Sequence, residues 1–309
     1  MRTLVIGSRG SRLALWQAEW ARARLEWAGS AARIEVIHTS ADQFLDRPLA
    51  AMGGKGVFVK EIEEALLSGA IDLAAHSLKD LPTVQPPGLS IACVPPREDP
   101  RDVLLAPGAP GLAGLARGAL VGTGSPRRAS QLHALRPDLR IADLRGNVDT
   151  RLARLRHGDY DAVLLASAGL RRLGIQMEGT ALDFEQMIPA VGQGAMAIEI
   201  RSDDRELEDL LKPHHHAPTA AAVTAERAFL RGLGGGCRAP IAAVGEVDGA
   251  RLLLRGLVAG PGGAPLLKDR REGPVGQAEA IGGALAVALL SRGAGALVRA
   301  APAPLPQAP

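Results

Sequence analysis

Short apolar runs alternate along the chain with longer amphipathic stretches, and the alternation predicts the fold class. Residues 3–7 (Thr-Leu-Val-Ile-Gly) are apolar and glycine-bounded, the length of a strand. A helix is predicted over 12–28, with Ser11 placed to cap its first amides and Gly29 to close it. The pattern gives another strand over 34–39. Phe58, Ile62, Ala65 and Leu66 then make an apolar stripe at helical spacing that ends at Gly69. Residues 71–75 form a strand that delivers the segment His76 to Pro82 at its carboxyl end. Strands predicted at 103–105, 120–122, 139–143 and 162–166 alternate with helical segments, the pattern of an α/β sheet. A strand over 197–200 follows, then a helix over 219–230. Alternating segments at 242–247, 251–259 and 265–271 predict a small antiparallel sheet, with a helix over 277–290 against it. The Ala/Pro tail from residue 300 is expected to be mobile.

Two turn-rich stretches, 95–100 and 188–196, interrupt this order and read as crossings between domains. The expected organisation is an α/β domain over 1–96 and 196–213, a second over 100–192, and a C-terminal α+β domain over 217–309.

Composition narrows this picture. All but five of the 36 basic residues are arginine, so an arginine's presence is compositional and its position must carry any argument. The two cysteines, Cys93 and Cys237, are too few and too far apart for a disulfide framework or a zinc site. His214, His215 and His216 are consecutive, and adjacent side chains do not converge on one ion, so no metal is expected. The N-terminal apolar run is too short for a secretory signal, and the apolar segment 280–290 falls short of the roughly 20 residues that span a bilayer. A soluble, cytoplasmic protein without membrane partners is the expectation.

Candidate chemistry sits at the ends of the predicted strands. The turn from Ser8 to Ser11 offers backbone amides to an anion, with Arg9 beside them. Lys79 and Asp80 follow the strand 71–75, where α/β sheets bind ligands. The glycine-rich loop 52–56 lacks Walker A spacing, so a nucleoside triphosphate is not indicated. Between Val121 and Arg172 there are ten Arg and five Asp, with no Lys or Glu. Ser125 and Pro126 read as N-cap and first residue of a helix, which puts Arg127 and Arg128 where the helix dipole disfavours cations. Together with Arg145, Arg151 and Arg171 or Arg172, they make physical sense around a multiply charged anion such as a polycarboxylate. Tyr160 is the only aromatic residue in that stretch, which speaks against nucleic acid. Last, Gly234, Gly235 and Gly236 open the approach to Cys237, and Arg238 favours its thiolate.

In order along the chain, SRLALWQ (11–17), GGKGVFVK (53–60), HSLKDLP (76–82), GTGSPRR (122–128), LRGNVDTR (144–151), VGQGA (191–195) and GGCRAPI (235–241) resemble the porphobilinogen deaminase (hydroxymethylbilane synthase) family over nearly the whole chain. The resemblance implies two α/β domains like those of type II periplasmic binding proteins, plus the small C-terminal domain. It implies a cytoplasmic, monomeric transferase of tetrapyrrole (porphyrin and haem) biosynthesis that joins four porphobilinogen units into hydroxymethylbilane, losing ammonia at each coupling. It further implies a dipyrromethane cofactor in thioether linkage to Cys237, with Asp80 as the catalytic carboxylate. By the same resemblance Lys79, Ser125, Arg127, Arg128 and Arg145 hold the cofactor, and Arg9, Ser11, Thr123, Arg145, Arg151, Arg172 and Gln193 hold substrate carboxylates. The chain departs from the family pattern at Thr39 to Asp42, Gly124, Pro126 and Gly234. A non-catalytic small-anion-binding protein on the same two-domain frame is the rival expectation; it has no use for a reactive cysteine.

Overall fold

The computed structural model describes residues 2–39, 59–235, 239–300 and 305–307. Cys237, Arg238 and the glycine-rich loop 52–56 lie outside the described residues. Strands β1 (Leu4–Ser8), β2 (Ala32–Val36), β3 (Leu73–Ser77) and β4 (Leu89–Cys93) come first, followed by β5 (Asp102–Leu105), β6 (Leu120–Gly122), β7 (Arg140–Ala142), β8 (Ala162–Ala166) and β9 (Thr180–Ala181). Then come β10 (Met196–Arg201), β11 (Ile241–Asp248), β12 (Arg251–Ala259) and β13 (Leu266–Pro274). The chain divides into two compact units, Met1–Arg97 with Ala195–Ala220, and Glu98–Gly194 with Ala221–Pro309.

The first unit holds a five-stranded sheet ordered β2-β1-β3-β10-β4, and the second a five-stranded sheet ordered β7-β6-β8-β5-β9. Both are built alike. Three parallel strands lie second-first-third, and the next strand runs antiparallel to the third. In each sheet that antiparallel strand directly follows a crossing, β10 in the first and β5 in the second. The second unit also contains the antiparallel sheet β11-β12-β13. The fold is therefore mixed α/β with a small C-terminal three-stranded sheet.

In the first unit, helix Arg12–Trp27 buries Ala18, Ala21 and Leu25 against Leu4, Ile6, Leu73 and Ile198. Helix Lys60–Leu67 covers the other face with Ile62 and Leu66 on Ile71, Ala74 and Leu89. Each fully buried leucine or isoleucine among them contributes about 1.5–3 kcal/mol. All three tryptophans lie on helix Arg12–Trp27: Trp16 and Trp27 are exposed, and Trp20 stacks under the Arg24 guanidinium with His214 at its edge.

Phe229, fully buried on helix Ala217–Gly232, centres the core of the small sheet with Leu252, Leu254 and Leu285. One turn away, the buried carboxylate of Glu226 accepts from the amides of Gly192 (2.7 Å) and Gly245 (2.8 Å). The C-terminal tail departs from expectation. β7 is an edge strand, and the outward amide of Asp143, just past its end, donates to the Pro306 carbonyl at 2.8 Å. Leu305 packs on the apolar cluster of the same sheet. A proline-rich segment can accept from a free sheet edge but donates little in return, which suits it to covering one.

Candidate active site

In both units the candidate residues sit at the carboxyl ends of parallel strands. β1 ends at Ser8 and hands the chain to Arg9 and Ser11, whose hydroxyl accepts from the Ala14 amide at 3.3 Å and caps helix Arg12–Trp27. β3 ends at Ser77 and continues as one 3-10 turn, Leu78–Asp80. Leu78 is buried and anchors the turn, which leaves Lys79 and Asp80 half-buried. Gln17 donates to the Ser77 hydroxyl at 2.8 Å, tying the turn to the helix. Asp80, His76, Arg9, Ser11 and Gln17 line one pocket. A carboxylate thus shares a concave site with a guanidinium, a hydroxyl and a helix N-terminus, a setting that binds anionic ligands and leaves one acid–base group beside them.

Behind His76 lies a buried acid cluster that sequence reasoning missed. Glu199 of β10 is fully buried; its carboxylate accepts from Gln85 Nε2 at 3.2 Å and lies 3.0 Å from His76 Nε2. Burial, then the nearby Glu199 charge, push the Glu63 carboxyl up to about 7. A folded-state value above the ordinary one means that the fold favours the protonated acid, a contribution lost as pH rises from the ordinary carboxylate range towards 7. We expect Glu63→Gln to leave stability at about pH 5 nearly unchanged and to raise it at about pH 8 by about 1 kcal/mol, solvent access trimming the full effect. Denaturant unfolding at the two pH values checks this, and equal shifts at both would contradict it.

In the second unit, β6 ends at Gly122 and leads to Thr123, Ser125 and helix Pro126–Leu135. Ser125 caps that helix, its hydroxyl accepting from the Arg128 amide at 3.4 Å. Arg127 and Arg128 are buried in the first turn, and the anion they meet there is internal. Arg127 donates to Asp102 Oδ2 (2.7 Å) and the Ile188 carbonyl (2.8 Å); Arg128 donates to Asp102 Oδ1 (2.7 Å) and the Leu164 carbonyl (2.9 Å). Gln193 adds a bond to Asp102 Oδ1 at 2.8 Å and one to the Pro100 carbonyl at 2.8 Å. The unfavourable position of two cations at a helix start is therefore compensated by Asp102 before any ligand is considered.

β7 leads to Arg145, whose Nε donates to Asp143 at 2.6 Å while its side chain stays about one-third exposed. Arg151 donates to the Gly146 carbonyl at 2.9 Å from the first turn of helix Val148–His157, which Asn147 caps. The departure at Gly124 has a local reason: a Cβ there would lie 2.9 Å from Asp143 Oδ1, crowding the carboxylate that holds Arg145. Arg172 donates to the Gly194 carbonyl at 2.7 Å, and burial lowers its guanidinium to about 10. Gly194 itself has φ +83°, and a Cβ would stand 2.3 Å from the Glu98 carbonyl, so only glycine fits.

Residues 4–209 match the model of "porphobilinogen deaminase, dipyromethane cofactor binding domain", and residues 220–291 that of "porphobilinogen deaminase, C-terminal domain". The chain belongs to the porphobilinogen deaminase family. Two deaminases among its relatives are that of Syntrophotalea carbinolica, 52% identical over 96% of this chain and 95% of its own, and that of Moorella thermoacetica, 49% identical over 97% and 96%. Among solved structures, a periplasmic substrate-binding protein of an ABC transporter from Coxiella burnetii aligns at 16% identity and TM-score 0.43, covering 73% of this chain and 97% of its own. The donor set fits the deaminase cofactor. Arginine, lysine and hydroxyl groups at strand ends and helix starts are what a dipyrrole bearing several carboxylates requires. Among the described residues no group of His, Cys, Asp and Glu is arranged to hold a metal ion, and no helix is long and apolar enough to cross a membrane.

Proposed function

We propose that the chain is a transferase that condenses four porphobilinogen molecules, with loss of ammonia, into the linear tetrapyrrole hydroxymethylbilane. The observation that carries this is the half-buried Asp80 at the end of β3, sharing a pocket with Arg9 and Ser11 in a chain matching both family models. The dipyrromethane, bound to Cys237, supplies the primer to which units are added. Asp80 stabilises the pyrrole cation left when the amino group departs and removes the proton lost after coupling; a fixed carboxylate serves both tasks. Arg9 and Ser11 take substrate carboxylates, as do Thr123, Arg145 and Arg151; Lys79, Ser125 and Arg145 serve the cofactor. Arg127, Arg128, Arg172 and Gln193 have a supporting part in this reading: bonded to Asp102 and to backbone carbonyls, they fix the loops of the second unit that carry the other donors. The working form is a cytoplasmic monomer. Intact-mass measurement tests the proposal: protein made with porphobilinogen available carries a dipyrrole adduct, and Cys237→Ala carries none. An adduct-free native protein that binds carboxylates without consuming porphobilinogen would favour the anion-binding alternative.

A further inference from the structure

The acid cluster next to His76 has no part in the proposed reaction. Glu199 is fully buried in the middle of the first sheet, between β3 and β4, where a charge costs several kcal/mol unless it is well paired. Its pairing is modest: one neutral amide from Gln85, and a charge contact with His76. Glu63, on helix Lys60–Leu67, adds a second carboxyl whose Oε1 is buried without a hydrogen-bond partner. An apolar side chain would serve the sheet better. What the arrangement provides is contact between a buried carboxylate and the reaction pocket through a single imidazole, because His76 and Asp80 both line that pocket. Neither His76 Nε2 nor the facing Glu199 Oε2 makes a hydrogen bond, so charge is what couples them, and a proton on the imidazole is what would pair this buried carboxylate.

We propose that Glu199 and His76 form a proton relay for Asp80. In each coupling the carbon–nitrogen bond breaks with its electron pair going to nitrogen, a carbon–carbon bond forms from pyrrole π electrons, and the α-carbon proton is lost, finally leaving with ammonia. Asp80 takes that proton and passes it to His76, and the charge of Glu199 stabilises the imidazolium until ammonia carries the proton away. The charged groups around the pair are Glu63 behind it and Arg9 and Asp80 on the pocket side. His76 and Glu199 act through Asp80, so the relay rests on the role given to Asp80, and both are positioning residues.

The test uses the full-length, adduct-bearing protein with Glu199→Gln and His76→Gln. Glu199→Gln should lower kcat about tenfold with KM within about twofold, and should move the acid limb of the kcat profile about one unit to lower pH, since the imidazolium loses its counter-charge. His76→Gln should lower kcat further and abolish that limb. Independently of activity, the NMR chemical shifts of the His76 ring nitrogens in porphobilinogen-free protein should change in Glu199→Gln, because the charge facing the ring is removed. An unmoved acid limb together with unchanged ring shifts would overturn the relay, as would a kcat loss that merely tracks loss of adduct or of Tm. Near-normal turnover in Asp80→Asn would remove the relay's entry point and overturn it too, while the ring shifts would still show whether the Glu199–His76 pair exists.

Discussion

Replacing Asp80 by asparagine should lower kcat by roughly 100-fold or more while the protein still carries its dipyrrole adduct, because positioned acid–base groups contribute about 10²–10⁴ in rate. Asparagine keeps the shape and the hydrogen-bonding capacity of the side chain but can neither balance a pyrrole cation nor take up a proton. The turn itself should persist, since buried Leu78 and the Gln17–Ser77 bond anchor it without the carboxylate. Single-turnover kinetics with porphobilinogen, combined with intact mass, separates chemistry from cofactor loading. Turnover within a few-fold of the parent would show that Asp80 is not the reacting carboxylate.

A comparably large effect, on stability, is expected from Asp102→Asn. Burial alone would raise the Asp102 carboxyl, but Arg127 and Arg128 outweigh burial and hold it well below the usual carboxylate range. Neutralising it leaves two buried guanidiniums facing one amide, and breaking a buried pair from one side costs about 3–5 kcal/mol. A depressed folded-state value means that this stability is present above the ordinary carboxylate pKa and is lost as pH falls below it. The parent should therefore lose stability on acidification through that range, and the variant should have less to lose. Calorimetry at neutral and acid pH reads both effects; an unchanged Tm at neutral pH would mean that the arginines find other partners.

Where strands are sharply bounded by turn residues, the sequence was readable. Residues 120–122, 162–166 and 251–259 form strands with those limits. Ser11 and Ser125 cap helices as their spacing predicts, because capping is local. β2 runs over Ala32–Val36 and not 34–39, since an edge strand's limits are set by its pairing with β1. β4 went unread because Pro86, Pro87 and Gly88 mark the segment as a turn and hide the five-residue strand behind it. The candidate pocket was visible as Arg9, Ser11 and Asp80 at strand ends. The acids that organise the interior were not: Asp102, Glu199 and Glu226 meet partners that only the folded sheets bring near. The arginine surplus after Val121 drew attention to an anion but could not reveal that Asp102 was part of the answer. The departure at Gly234 also becomes clear: at φ +66° it closes helix Ala217–Gly232, a conformation that glycine adopts without strain.

The placement of the aromatic residues has an optical consequence. All three tryptophans belong to helix Arg12–Trp27 in the first unit, and the single tyrosine, Tyr160, lies in the second. Tryptophan emission therefore reports the first unit, and an unfolding curve followed by that signal alone would pass over the loosening that Asp102→Asn is expected to cause. Tyr160, whose hydroxyl donates to the Asp143 carbonyl at 2.7 Å, is the native reporter for the other half of the chain, beside the loop that carries Arg145.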